Sequence, residues 1–306
     1  MKELWTEKYR PDTLNGYVFR DTEQKKQIET WVKEGAIPHL LFSGSPGTGK
    51  TTLAKILINL LGVDEFDVKE INASRDNSVE FIRSTIEGFV QTMPFGDFKI
   101  VLLDEADYIT PNGQAVLRGL METYASSARF ILTCNYPGRV IPALHSRTQG
   151  FHIQHLDQIE FTARVAEVLV TENIAVDIET LDSYVKATYP DLRKCLNLVQ
   201  MNSTSGTLVK PHGDEGGSTD YKLEVVEMFK KKKFTEAREL LCKSVRPEEM
   251  EEIFRWMYDN LDLWGSEPEQ QDAAILAIRD GMVNHSFVAD PEINLAATLV
   301  KLTQEI

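Results

Sequence analysis

The stretch Gly44-Ser45-Pro46-Gly47-Thr48-Gly49-Lys50-Thr51 decides the fold of the first half of this chain. It has the spacing G-x-x-x-x-G-K-[ST]. An apolar run, Leu40-Leu41-Phe42, precedes it, and a helical pattern from Thr51 to Leu61 follows. A phosphate-binding loop requires that order. Glycines let backbone N–H groups wrap a polyphosphate, and the helix N-terminus adds positive potential. Lys50 is placed to reach β- and γ-phosphates, and the Thr51 hydroxyl, with Thr52 beside it, is placed to face Mg²⁺. At average residue usage a chain of this length matches the pattern by chance in roughly 1% of cases. The strand–loop–helix setting lowers that further, so ATP and Mg²⁺ are the expected ligands.

Outward from the loop, the first half alternates short apolar runs with amphipathic stretches. Runs at 39–43, 66–72, 99–104, 129–134 and 149–153 read as strands rich in Val, Ile, Leu and Phe. They show little alternation, as in a parallel sheet covered on both faces. The expected fold is α/β, a three-layer domain on a parallel five-stranded sheet. After about residue 154 the strand signal stops. Residues 160–170, 178–188 and 191–201 read as three helices. Residues 202–219 are rich in Ser, Thr and Gly and read as a linker or loose loop. From Asp220 to Ile306 the chain is helical again. Lys230 to Lys233 reads most simply as a solvated helix end that complements the macrodipole.

The 306 residues are too many for one ordinary core, so two or three domains are expected. Hydrophobic content of 42% and charged content of 26% suit a soluble protein, and no apolar run reaches the length of a membrane span. Met1-Lys2-Glu3-Leu4-Trp5 lacks the apolar stretch of a signal peptide. The cysteines, Cys134, Cys195 and Cys242, are far apart and form no C-x-x-C pair, which points to a reducing, cytoplasmic setting. Net charge is −14. Residues 1–150 carry 17 Lys/Arg against 19 Asp/Glu, whereas residues 151–306 carry 16 against 28. Any DNA-facing surface is therefore expected in the first half, and protein contacts in the second.

The run Ile100-Val101-Leu102-Leu103 ends in Asp104-Glu105-Ala106-Asp107. Strand carboxyl ends in open α/β sheets point at the ligand crevice. There Asp104 can hold the Mg²⁺ shell, and Glu105 can polarise the water that attacks a γ-phosphate. The run Phe130 to Cys134 ends in Asn135, whose amide can contact that water or the γ-phosphate, although taken alone an Asn opening the turn Asn135-Tyr136-Pro137 is the better reading. Arg147, in Ser146-Arg147-Thr148, sits on the flank of the domain. It reads either as a finger reaching a neighbour's nucleotide or as a surface arginine. Pro190-Asp191-Leu192-Arg193-Lys194 starts a helix with two cations in its first turn, which oppose the dipole. A nucleotide phosphate near Arg193 would compensate, as would a pairing with Asp191.

With these residues in place the chain resembles an AAA+ ATPase of the sliding-clamp-loader family. Seven blocks carry the likeness over nearly all of residues 1–200. Trp5-Thr6-Glu7-Lys8-Tyr9-Arg10-Pro11 is similar to the N-terminal adenine-site segment of replication factor C small subunits. So are Pro38-His39-Leu40-Leu41-Phe42, Asn72-Ala73-Ser74, Leu103-Asp104-Glu105-Ala106-Asp107, Met121-Glu122-Thr123-Tyr124, Thr133-Cys134-Asn135 and Asp191-Leu192-Arg193-Lys194. The short chain, the segment Gly35-Ala36-Ile37-Pro38-His39 and the brief collar also resemble the large subunit of T-even-type phage clamp loaders.

The resemblance implies an AAA+ domain at 1–153, a helical lid at 154–205, a linker at 206–219 and a helical, oligomerising collar at 220–306. It implies that Tyr9, Arg10 and Pro11 border adenine, that Asn135 and Arg193 are the two sensors, and that Arg147 is the finger. Thr148 departs from the family's Ser-Arg-Cys. Gln114 and Arg118 would couple the ATP site to DNA and to the neighbouring subunit, although Gly119 replaces a second Arg. Arg75, Arg83, Thr110 and Asn112 would track primer–template DNA without reading sequence, with solvated side chains as the plainer reading. Phe89, Met93 and Phe95 would include anchors for the clamp, or pack on the sheet instead. The partners implied are a sliding clamp, other loader subunits in a pentameric spiral and primer–template DNA. The competing readings are another AAA+ motor, such as a helicase or unfoldase, and an ATP-inert scaffold subunit of the loader.

Overall fold

The computed structural model describes residues 3–75, 77–153, 156–203, 206–209, 220–246, 249–285 and 287–304. The chain groups into two compact units, residues 1–164 with 190–193 and residues 165–189 with 194–306.

Five strands organise the first unit: β1 (Leu40–Ser43), β2 (Val68–Asn72), β3 (Lys99–Asp104), β4 (Ala128–Cys134) and β5 (Gln149–His152). They pair in the order β2-β3-β4-β1-β5, and every pairing is parallel. On one face Leu41, Val101, Leu103, Phe130 and Leu132 share a core with Ile82, Ile86, Leu117, Leu120 and Met121 from the helical segments. The alternate residues Leu40, Phe42, Ile100, Leu102 and Ile131 are equally buried, and the helix Lys50–Leu60 lies against β3 and β4. Burial on both faces explains the unalternating apolar runs. The expected three-layer α/β architecture is the one observed.

The edges depart from that pattern. In β2 only Ile71 is buried, and in β5 no residue is. An outer strand pairs on one side only, so its side chains meet fewer packing demands. The run Val79–Phe81, a π-helical turn Ile82–Glu87 and the helix Gly88–Gln91 follow one another along the chain. Their end is fastened by the buried Lys99 at the start of β3. Its ammonium donates to the Phe89 carbonyl at 2.9 Å, one that the helix leaves open, and to the Thr92 hydroxyl.

The described part of the second unit is helical apart from short turns and one bridge. Ile178–Thr188 packs on Tyr221–Lys230, and Pro268–His285 packs on Pro291–Gln304. Trp264 is buried, donates its indole N–H to the Met257 carbonyl at 2.9 Å and stacks edge-on against Phe229. In the basic run, Lys230 is partly buried, pairs with Asp182 at 2.8 Å and donates to the Ser183 hydroxyl. Lys231 and Lys233 are exposed beside Glu227 and Glu236, as a solvated helix end requires. Of the linker 206–219 only 206–209 is described. There Leu208 is buried and its N–H bonds the Ala175 carbonyl at 2.8 Å; residues 210–219 lie outside the described residues. No described helix is long and apolar enough to cross a membrane.

Leu41 stands in β1, an inner strand of the sheet, just ahead of the loop. Leu41→Ala is expected to cost about 2–5 kcal/mol, seen as a lower urea midpoint at unchanged slope. Gln149→Ala on the exposed edge is expected to stay within about 0.5 kcal/mol.

Candidate functional site

In the sheet, β3, β4 and β1 lie side by side, with Leu103 opposite Leu132 and Ser43 opposite Cys134. The segments leaving their carboxyl ends therefore meet. A cavity of about 220 Å³ opens there. The loop contributes Pro46, Gly47, Gly49, Lys50, Thr51 and Thr52, the acidic segment contributes Asp104 and Glu105, and the β4 exit contributes Thr133 and Asn135. Arg193, from the segment 190–193 that groups with this unit, closes the ring.

The loop backbone suits a polyphosphate. Gly47 and Gly49 have φ of +74° and +85°. A Cβ on Gly47 would meet the Asp191 carboxylate, and one on Gly49 would lie 2.9 Å from the Tyr17 ring, so neither position admits a side chain. Helix Lys50–Leu60 starts at Gly49 with no side-chain cap, which leaves its first-turn N–H groups to an anion. Ser45 accepts from the Thr48 hydroxyl at 2.9 Å, and Tyr17 beneath the loop donates to the Thr48 carbonyl at 3.3 Å. Lys50 is 7% exposed, and its ammonium donates to the carbonyls of Gly44 (2.9 Å) and Ser45 (2.7 Å). Burial pushes its pKa down to about 8.

The acids are held as firmly. Asp104 Oδ1 accepts from the Thr51 hydroxyl at 2.6 Å, which brings two hard oxygen donors together, as a magnesium ion demands. Glu105 has φ 58° and ψ 44°, the left-handed region. That conformation costs a residue with a side chain about 1–2 kcal/mol, and such strain gathers where a group must be aimed. Thr133 Oγ1 accepts from the Glu105 N–H and donates to Asp104. The buried Asp107 accepts from the Tyr136 N–H at 3.1 Å and so steadies the turn that carries Asn135. Burial first, and then Asp107, push the Cys134 thiol up to about 12, so it stays protonated and inert.

Known proteins agree with this geometry. The model of the ATPase family associated with various cellular activities (AAA) matches residues 40–155. A replication factor C small subunit of Methanococcus vannielii is 35% identical over 254 residues, covering 79% of each chain. One from Saccharolobus solfataricus is 38% identical, covering 78% of this chain and 74% of its own. The chain belongs to the replication factor C small-subunit family. Among solved structures, the Thermotoga maritima RuvB Holliday junction branch migration motor superposes with a TM-score of 0.53 at 17% identity. That match covers 63% of this chain and 64% of the motor, and at such identity it speaks for the fold alone.

Other expected site residues of this replication factor C relative lie away from the cavity. Arg10 lines a neighbouring cavity of about 340 Å³ shared with Thr51, Asp104 and Arg193, and neither Tyr9 nor Pro11 lines that one or the first. Arg10 also pairs with Glu7 at 2.7 Å. The Tyr9 carbonyl accepts from Arg164 at 3.0 Å, and Pro11 lies beside Gly16. Arg147 is not among the residues lining either cavity. It donates to Glu122 Oε1 at 2.6 Å and to the Ala143 carbonyl at 2.9 Å, and Arg118 stands 3.9 Å from the same carboxylate oxygen.

Gln114 is 1% exposed. Its amide donates to the carbonyls of Ile109 and Arg139, and its oxygen accepts from the Ile141 N–H, joining the segments that follow β3 and β4. Arg75, Arg83, Thr110 and Asn112 are all exposed. Thr110 also caps helix Pro111–Thr123 by accepting from the Gly113 N–H at 3.2 Å. Phe89 is half-buried against the core. Met93 and Phe95 are 89% and 80% exposed.

Sequence reasoning missed Thr133, Asp107, Tyr17 and Phe66. The last is 68% exposed with its ring 6.0 Å from that of Phe95. The position of Thr133 two residues before Asn135 was visible, but its partners were not.

With Lys50 read as a phosphate ligand in its ammonium form, nucleotide affinity is expected to be level up to about pH 8 and to fall by up to about tenfold per pH unit above it. Bound phosphate raises the pKa again, so binding above that pH takes up a proton. Calorimetry in two buffers of different ionisation heat measures both effects. Affinity that stays flat to about pH 9.5 with no proton uptake would contradict this role for Lys50.

Proposed function

We propose that this replication factor C relative is the ATP-hydrolysing subunit of a sliding-clamp loader, which opens a ring clamp and closes it on primer–template DNA. The carrying observation is that Lys50, Thr51, Asp104, Glu105 and Asn135 share one cavity in a chain of this family. The loop N–H groups and Lys50 bind the triphosphate tail, and Arg193, as the second sensor, touches it too. Thr51 and Asp104 would hold Mg²⁺, which draws charge from the phosphate oxygens. Glu105 orients and polarises the attacking water, and Asn135 fixes that water's position. Tyr9, Arg10 and Pro11 border the adenine, with Arg10 beside Thr51 best placed for it.

Arg147 serves a neighbour. Its position outside its own cavity and its partly exposed guanidinium support a finger in trans, so each site needs two subunits. The division into 1–153, 154–205, 206–219 and 220–306 assigns the last segment to a pentameric spiral. Inside that spiral Arg75, Arg83, Thr110 and Asn112 follow DNA phosphates. Gln114 and Arg118 pass the DNA signal to the ATP site, which the burial of Gln114 between two loops supports. Met93 and Phe95, joined by Phe66, form the apolar face offered to the clamp, while Phe89 packs inward. The likeness of Gly35–His39 to phage loaders supports a phage source and a host cytoplasm.

The test is ATP hydrolysis by the assembled loader. Clamp and primed DNA together are expected to stimulate it strongly, and Glu105→Gln is expected to abolish it while ATP still binds. Turnover indifferent to both partners would favour another AAA+ motor, and no turnover at all would favour a scaffold. Arg147→Ala is expected to lower turnover by about 10³-fold or more without loss of ATP binding. A fully active, purified single subunit with Arg147 dispensable would overturn the two-subunit site.

A further inference from the structure

We infer that Thr133 is the positioning residue that holds Glu105 in its working pose and ties it to Asp104. The inference rests on the reading of Glu105 as the group that polarises the attacking water.

Thr133 is the penultimate residue of β4, and the register that sets Leu103 opposite Leu132 brings it beside the end of β3. The residue is 1% exposed. A buried hydroxyl is costly unless both its donor and its acceptor capacity are used. Here both are used on the acidic pair. The oxygen accepts from the Glu105 N–H at 3.1 Å, and the proton goes to Asp104 Oδ1 at 2.5 Å. The same Oδ1 accepts from Thr51 at 2.6 Å. One hydroxyl thus connects the backbone of the water-activating glutamate to the carboxylate that faces Thr51.

The backbone of Glu105 gives this contact its importance. Left-handed conformation at a residue with a side chain persists only where its surroundings over-determine it. Two contacts do so here: Thr133 takes the N–H, and the Tyr108 N–H donates to the Glu105 carbonyl at 3.0 Å. Releasing the first would let Glu105 relax toward ordinary dihedral angles and swing its carboxylate away from the γ-phosphate position. Valine would fill the same space and suit a buried strand at least as well. The hydroxyl is therefore not needed for packing or strand formation, and its two partners indicate what it is needed for.

The experiment uses the full chain assembled with its loader partners, clamp and primed DNA, and compares Thr133→Val, Thr133→Ala, Thr133→Ser and Glu105→Gln. Steady-state hydrolysis and ATP binding are both measured. In Thr133→Val, kcat is expected to fall by about tenfold or more, while KM and ATP affinity stay within about threefold. Thr133→Ser, which keeps the hydroxyl, is expected to recover most of the rate. Thr133→Ala carries the same expectation should the valine variant not fold. The inference is overturned if the valine and alanine variants keep kcat within about twofold of wild type while Glu105→Gln is dead. It is also overturned if the whole loss lies in ATP affinity, or if serine fails to rescue. Turnover that survives Glu105→Gln overturns the parent reading of Glu105 instead, and this inference with it.

Discussion

Parallel hydrogen bonding between β3, β4 and β1 is the constraint on which the site depends. Parallel neighbours end at the same edge of a sheet, so whatever follows their carboxyl ends is brought together. Here those followers are the acidic segment, the turn at Asn135 and the phosphate-binding loop. The Gly44 N–H bonds the Cys134 carbonyl and the Ala73 N–H bonds the Asp104 carbonyl, so the ladder continues into the loops themselves. The apolar faces of the three strands leave the sheet little freedom to slip. A shift by one residue would turn Leu103 and Leu132 from one buried face to the other and swing Asp104 out of the crevice.

On that frame, polar contacts do the fine positioning, and they are concentrated where the backbone is least comfortable. Lys50 is buried and its pKa is depressed. Glu105 is left-handed. Gly47 and Gly49 are packed so closely by Asp191 and Tyr17 that only hydrogen fits in place of a side chain. Each feature lowers stability on its own, and the core beneath offsets it. Such a site is poised for charge that it does not itself carry, which is the condition for electrostatic stabilisation of a transferring phosphoryl group.

The second unit has a different logic. Its described core is helix against helix, locked by tryptophans whose indole N–H groups find carbonyls: Trp264 on Met257 and Trp256 on Lys186. The acidic excess of the second half lies mainly outside this core, where Asp182, Glu227 and Asp262 take the partners that Lys186, Lys230 and Lys231 offer. Net charge in this half therefore describes its surface and not its packing.

Much of the fold was legible without coordinates because it is written in local chemistry. Glycine spacing, an adjoining Lys-Thr pair and unalternating apolar runs each follow from the immediate surroundings of a residue. They sufficed for the parallel sheet, the loop, and the acids at the end of β3. The edge strands were legible too, as the runs 66–72 and 149–153, although no residue of β5 is buried and its place rests on pairing with β1. Strand order, the meeting of Thr133 with Glu105 across 28 residues and the pairing of Arg147 with Glu122 across 25 depend on long-range packing. A hydroxyl or a guanidinium carries no mark of its future partner, because hydrogen bonds are short and directional and only the folded chain sets which groups come within reach.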